Sequence, residues 1–219
     1  SIVITGEEKK EVLQIIKNRC FETKSKLFQI NKDFSVVTRN SSEKRIDFDF
    51  KSGNKVFKDL KLSLIGEYQA ENAGLTIEAA LSLEELGFKV SEENIRKALR
   101  GAFFPGRFEI INYKNRMIIL DGAHNVDKMK SFLHSLNKYF PDKKKVFLVA
   151  FKTDKNIKDM VSEIEEYADE IIFSEFSVST DMSKNPSFKI SNLKSQISNR
   201  SNFYFEKDSR KALVDSLSF

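Results

Sequence analysis

The sequence has no tryptophan, one cysteine, three prolines, eight glycines and two histidines in 219 residues. With only Cys20 available, no intrachain disulfide and no cysteine-based zinc site can form. No apolar run approaches the ~18–20 residues of a membrane span. Ser1-Ile2-Val3 runs straight into Gly6-Glu7-Glu8-Lys9-Lys10, which does not read as a secretory leader. These absences predict a soluble chain in a reducing compartment, the cytoplasm, with no membrane partner. Neither sign of charge dominates: 37 Lys and Arg against 32 Asp and Glu leave a net charge of +5. A nucleic-acid binder calls for basic residues clustered on one face. The one strong cationic run, Asp142-Lys143-Lys144-Lys145, falls between a helix and a strand and reads as a solvated loop, so no nucleic-acid partner is expected. A basic binding module is the weakest alternative. No Gly-Lys-Ser or Gly-Lys-Thr string occurs anywhere. What is present suits a buried core of one or two domains: 40% of residues are apolar and 32% charged. The 20 Phe, with abundant Lys and Asn, read as AT-rich codon usage rather than function.

A helix is expected from Thr5 or Gly6 to about Arg19, with Val12, Leu13 and Ile16 as its apolar face. Strands follow at 26–31, 34–39, 45–51 and 56–64. Ile46, Phe48 and Phe50 alternate with Asp47 and Asp49, and Ser52-Gly53-Asn54 marks a hairpin turn. A long helix is expected over 68–86, with Ala70, Ala73, Ile77, Ala80 and Leu81 as a small-residue face and Gly87 ending it. Ser91 caps a helix over 92–100. Phe103-Phe104-Pro105-Gly106 breaks the pattern, and the domain boundary is placed at about Pro105. Strands at 108–113, 117–120, 146–151, 170–176 and 203–205 then alternate with helices at 126–139, 157–168, 190–198 and 209–217. Such alternation predicts an α/β sheet covered by helices.

Three segments suit chemistry. Asp121-Gly122-Ala123-His124-Asn125 joins a strand to a helix, the place where open α/β sheets bind ligands. Asn125 suits the N-cap, and the helix start favours an anion. Asp121 suits ribose hydroxyls, and His124 suits a phosphate or acyl phosphate. Arg107, after Pro105-Gly106, offers a planar fork for phosphate. Gln69 and Asn72, three apart at a helix start, share a face and carry amides that suit an adenine edge. Each segment alone also has an ordinary structural reading: turn residues, a solvated arginine, helix capping. His134 reads as a partly exposed helix residue, and Cys20 as a small buried apolar one.

Order and spacing add to this. The Gly-x-x-Gln-x-x-Asn-Ala helix start (66–73), the Pro-Gly-Arg-x-Glu hinge (105–109) and the Leu-Asp-Gly-Ala-His-Asn turn (120–125) resemble the folylpolyglutamate synthase / dihydrofolate synthase family of the Mur ligase superfamily. Arg107 and Asp121 lie 14 residues apart. Thr153-Asp154-Lys155-Asn156 and the opening Gly-Glu-Glu are weaker matches. Peptidoglycan Mur ligases look more like Asp-Tyr-Ala-His at the turn, so a ligase of peptidoglycan precursors is the alternative. The resemblance implies residues 1–105 as the C-terminal part of an α/β central ATP-binding domain, and residues 106–219 as a Rossmann-like ligase domain, truncated at its end. It implies ATP-dependent joining of glutamate to folate or dihydropteroate, a tetrahydrofolate-synthase-class reaction through an acyl phosphate, in folate and one-carbon metabolism. Arg107, Asp121, Asn72 and Gln69 would contact ATP, and His124 and Asp121 would serve the chemistry. Mg²⁺ ligands are expected upstream, as is the glycine-rich phosphate loop that this sequence lacks. The 219 residues are therefore expected to be inactive alone, and the full-length enzyme a monomer.

Overall fold

The structure is a computed structural model describing residues 1–152, 156–176, 189–193, 197 and 200–219. It divides into two compact units, Ser1–Glu109 and Ile110–Phe219.

In the first unit, β1 (Ile2–Thr5) pairs in parallel with β2 (Lys26–Gln29), and α1 (Lys10–Glu22) connects them. The opening therefore differs from the sequence expectation of a helix from Thr5 or Gly6. Thr5 and Glu7 are engaged in a turn instead: Thr5 Oγ1 accepts the Glu7 N–H at 3.1 Å, and Glu7 Oε1 accepts from Lys9 N at 2.8 Å. Residues 2–5 gain strand hydrogen bonds that a short apolar run cannot advertise against a helix. The expected apolar face of α1 is only partly used, because Leu13 and Cys20 are buried while Val12 is exposed.

The strands β3 (Phe34–Ser41), β4 (Ile46–Ser52) and β5 (Lys55–Leu62) form an antiparallel meander, close to the ranges expected. Period-two alternation decides its faces: Ile46, Phe48 and Phe50 are fully buried, while Asp47 and Asp49 lie on the other side. On that outer side Arg39 Nη2 donates to Asp49 at 2.6 Å, which with the Asp59 N–H holds the Asp49 carboxyl below its usual pKa. The buried face packs on α2 (Tyr68–Ser82) through Ala70, Ala73, Ile77 and Leu81. Small residues matter there, since a Cβ on Gly74 would stand 2.2 Å from Val36 Cγ2. The long helix expected to Leu86 ends earlier and tightens into a 3₁₀ turn over Leu83–Leu86 before Gly87. Ser91 Oγ accepts from Asn94 N at 3.2 Å and caps α3 (Glu92–Arg100), as expected.

In the second unit the alternation holds, with one rearrangement. The strands β6 (Glu109–Tyr113) and β7 (Arg116–Leu120) make a two-stranded sheet of their own. Met117 and Leu120 stay largely exposed, so the short apolar run at 117–120 is not a core strand among the described residues. Next come α4 (Val126–Tyr139), β8 (Val146–Val149), α5 (Ile157–Glu165), β9 (Glu170–Phe173), α6 (Ile190–Leu193), β10 (Phe203–Phe205) and α7 (Ser209–Ser216). The three later strands form a parallel sheet in the order β10-β9-β8. Ile171, Ile172 and Phe173 of its central strand are buried, as are Met129, Phe132, Leu133 and Leu136 of α4 and Met160, Val161 and Ile164 of α5. Parallel strands buried this way read as continuous apolar runs. The helix expected over 190–198 is described only to Leu193, and Thr153-Asp154-Lys155 lies outside the described residues. His134 is exposed and Cys20 buried at the end of α1. Lys145 of the basic run folds back, its Nζ donating to the Pro141 carbonyl at 3.2 Å.

Candidate functional site

The first piece is the start of α2. Gly66 has φ +110, and a Cβ there would meet the Tyr68 ring at 2.8 Å, so glycine is required on both counts. Its carbonyl accepts the Gln69 N–H at 2.8 Å. Gln69 is 6% exposed and its Oε1 accepts from Asn72 Nδ2 at 3.0 Å. The two amides expected to share a face thus hold one another. That bond holds the side chain of the exposed Asn72.

The second piece is the turn Phe104-Pro105-Gly106-Arg107. The Arg107 N–H donates to the Phe104 carbonyl at 3.3 Å. Pro at the second position and Gly106 at φ +66 in the third give a type II turn. Glu109 Oε2 accepts the Gly106 N–H at 2.8 Å and braces it from the far side. Phe108, 1% exposed, anchors the segment with a positive φ of +48. The half-buried Arg107 lies with its guanidinium carbon 5.8 Å from the centroid of the exposed Phe104 ring, a cation–π arrangement. Glu109 is quoted in the sequence motif, but its part becomes visible only here; its spacing of three from Gly106 is the signal.

The third piece is the β7–α4 turn. Asp121 is half-buried, and its Oδ1 accepts the Ala123 N–H at 2.8 Å. Asn125 Oδ1 accepts from Lys128 N at 2.9 Å, the N-cap expected from sequence. His124 is exposed, with Nδ1 at 2.9 Å from the Gly122 carbonyl and Nε2 at 3.2 Å from Lys128 Nζ. Lys128 escapes a reading of the sequence motif, although its spacing of four from His124 at a helix start was available as a signal. Gln69 and Asn72 meet directly, and Asp121 and His124 share one turn. Among the described residues no group of three His, Cys, Asp or Glu side chains is placed to hold a metal ion.

Residues 106–218 match the Mur ligase glutamate ligase domain, more than half of the 219-residue chain. The chain belongs to the Mur ligase family. This family member is 29% identical over 177 residues to the dihydrofolate synthase/folylpolyglutamate synthase of Bacillus subtilis, covering 80% of this chain and 40% of that protein. It superposes on the Thermotoga maritima folylpolyglutamate synthase with a TM-score of 0.73 and 29% identity, over 96% of this chain and 48% of that one. The Mycobacterium tuberculosis folylpolyglutamate synthase complexed with ADP gives a TM-score of 0.87 at 18% identity, over 99% of this chain and 47% of that one. This last likeness concerns the fold. The Mur ligase chain thus spans less than half the length of each of these relatives.

Proposed function

We propose that this chain serves in an ATP-dependent ligase that joins glutamate to the carboxylate of a folate or of dihydropteroate. The observation that carries the reading is the β7–α4 turn, with Asp121, His124 and Lys128 at a capped helix start, in a chain whose named relatives are folylpolyglutamate and dihydrofolate synthases. On this reading residues 1–105 are the C-terminal part of the ATP-binding domain and residues 106–219 the ligase domain.

Each unit carries groups that suit a nucleotide. Asn72, steadied by Gln69, offers an amide to a base edge. Arg107 offers a planar fork to phosphate oxygens, pre-aimed by the type II turn and the Phe104 ring. The Asp121 carboxylate accepts from ribose hydroxyls while its Oδ1 stays anchored on Ala123. ATP, when bound, supplies the phosphoryl group that activates the acid as an acyl phosphate, from which the glutamate amine displaces phosphate. The chain's own contribution is positioning and charge, which dominate phosphoryl transfer.

The test is glutamate addition by the full-length ligase carrying this chain, with dihydropteroate, tetrahydrofolate and UDP-linked peptidoglycan precursors as acceptors. Arg107→Ala and Asp121→Ala each lower ATP-dependent addition to the folate-type acceptor by roughly tenfold or more, the loss of a charged hydrogen bond. Undiminished activity in both variants overturns the site, and turnover only with a UDP-linked acceptor overturns the substrate.

A further inference from the structure

We propose that Lys128 is the residue of the β7–α4 turn that contacts a phosphoryl oxygen, and that His124 is a positioning residue that aims it. The inference deepens the ligase reading above and rests on it. The Gly122 carbonyl can only accept, so at 2.9 Å His124 Nδ1 must carry its hydrogen. The Lys128 ammonium can only donate, so at 3.2 Å His124 Nε2 must present its lone pair. Both contacts are satisfied together only by the neutral Nδ1–H tautomer. In that state neither ring nitrogen has an N–H left for an anion. The positive charge of the pair resides on Lys128.

The place of Lys128 is informative as well. Its backbone N–H is the one that Asn125 caps, so it stands in the first turn of α4. A cation there is opposed by the helix dipole, which favours anions at this end. Helix stability therefore gives no reason for a lysine at 128. An oxyanion lying at the turn would reverse the balance, since the ammonium and the helix start would then attract the same charge. The side chain is exposed, and the imidazole gives it a fixed partner at its tip. The acidic neighbours on the turn and first turn are Asp121, whose Oδ1 is held by the Ala123 N–H, and Asp127.

The phosphoryl oxygen can belong to the nucleotide or to the group in transfer, and kinetics separates the two. In the full-length ligase, Lys128→Met is expected to lower kcat/KM for ATP-dependent glutamate addition roughly 10- to 100-fold, with Lys128→Arg restoring most of it. A raised KM for ATP with kcat kept assigns the contact to the nucleotide. A lowered kcat with KM for ATP kept assigns it to the transferring group. His124→Ala is expected to cost less than Lys128→Met, and nothing further in the Lys128→Met background, because His124 acts through the lysine. A purely structural histidine would not show that dependence. Near-wild-type turnover in Lys128→Met, a loss that arginine does not restore, or a His124→Ala effect undiminished in the double variant each overturns the proposal. If Lys128→Met fails while Arg107→Ala and Asp121→Ala behave as expected, the ligase reading stands. A wild-type enzyme with no ATP-dependent ligation overturns both.

Discussion

Gly106→Ala isolates one physical term at the hinge. Gly106 has φ +66, and no atom lies within 4 Å of a Cβ added there. Steric overlap therefore contributes nothing, and the cost is the left-handed backbone alone, about 1–2 kcal/mol for an L side chain. Alanine also stiffens the unfolded chain, which offsets about 0.4–1 kcal/mol. The net expectation is a destabilisation of up to about 1.6 kcal/mol, measured as a shift in the urea unfolding midpoint. The control is Gly53→Ala in the β4–β5 hairpin, where φ is +53 and the space is equally open. Both variants should lose similar stability. Only Gly106→Ala should also weaken ATP use in the full-length ligase, because residue 106 sets the path of Arg107 and receives the Glu109 carboxylate. A raised midpoint in Gly106→Ala would refute the strain argument. Equal losses of ATP use in the two variants would refute the link from the turn to Arg107.

Three further outcomes follow from packing, capping and burial. Phe50→Ala should cost about 3–5 kcal/mol in equilibrium unfolding, since Phe50 is 0% exposed and rings with Phe34 and Phe57 in the meander core; a cost under 1 kcal/mol would show the cavity collapsing freely. Asn125→Ala should cost about 1 kcal/mol by removing the acceptor of Lys128 N, while Asn125→Asp keeps it; equal midpoints for both variants would show that the cap is idle. Glu78 is 3% exposed, its Oε2 has no hydrogen-bond partner among the described residues, and burial raises its pKa, opposed in part by Ser52. The folded chain therefore holds this proton more tightly than the unfolded chain does. The stabilisation is complete below the ordinary glutamate pKa and is lost as pH rises through the raised one. Urea midpoints of Glu78→Gln should be flatter across that window than wild type, and parallel profiles would count against the burial argument.

Much of the local structure was legible along the chain. The Ile46-Phe48-Phe50 alternation dictated which face of β4 is buried, because side chains of a strand alternate by geometry. Ser91 and Asn125 marked helix starts, because a short side-chain oxygen can reach an amide in the first turn. Pro105-Gly106 marked a break in the pattern, and the fold makes it a turn, because one fixes φ and the other permits a positive value. The absent glycine-rich lysine loop likewise needed no structure to see. Tertiary structure decided the rest, where short segments had competing partners. Ile2–Thr5 became a strand because β2 lies alongside to pair with it, and its four residues carry too little periodicity to say so. Residues 117–120 pair with β6 in a two-stranded sheet and do not join the β10-β9-β8 sheet, a choice of partner invisible in an apolar run. The same holds at the candidate site. The residue types of the Asp-Gly-Ala-His-Asn turn were plain in the sequence, but the roles of its histidine and of Lys128 depend on which atom lies 3 Å from which. A hydrogen bond has direction, and only the folded chain assigns its donors and acceptors.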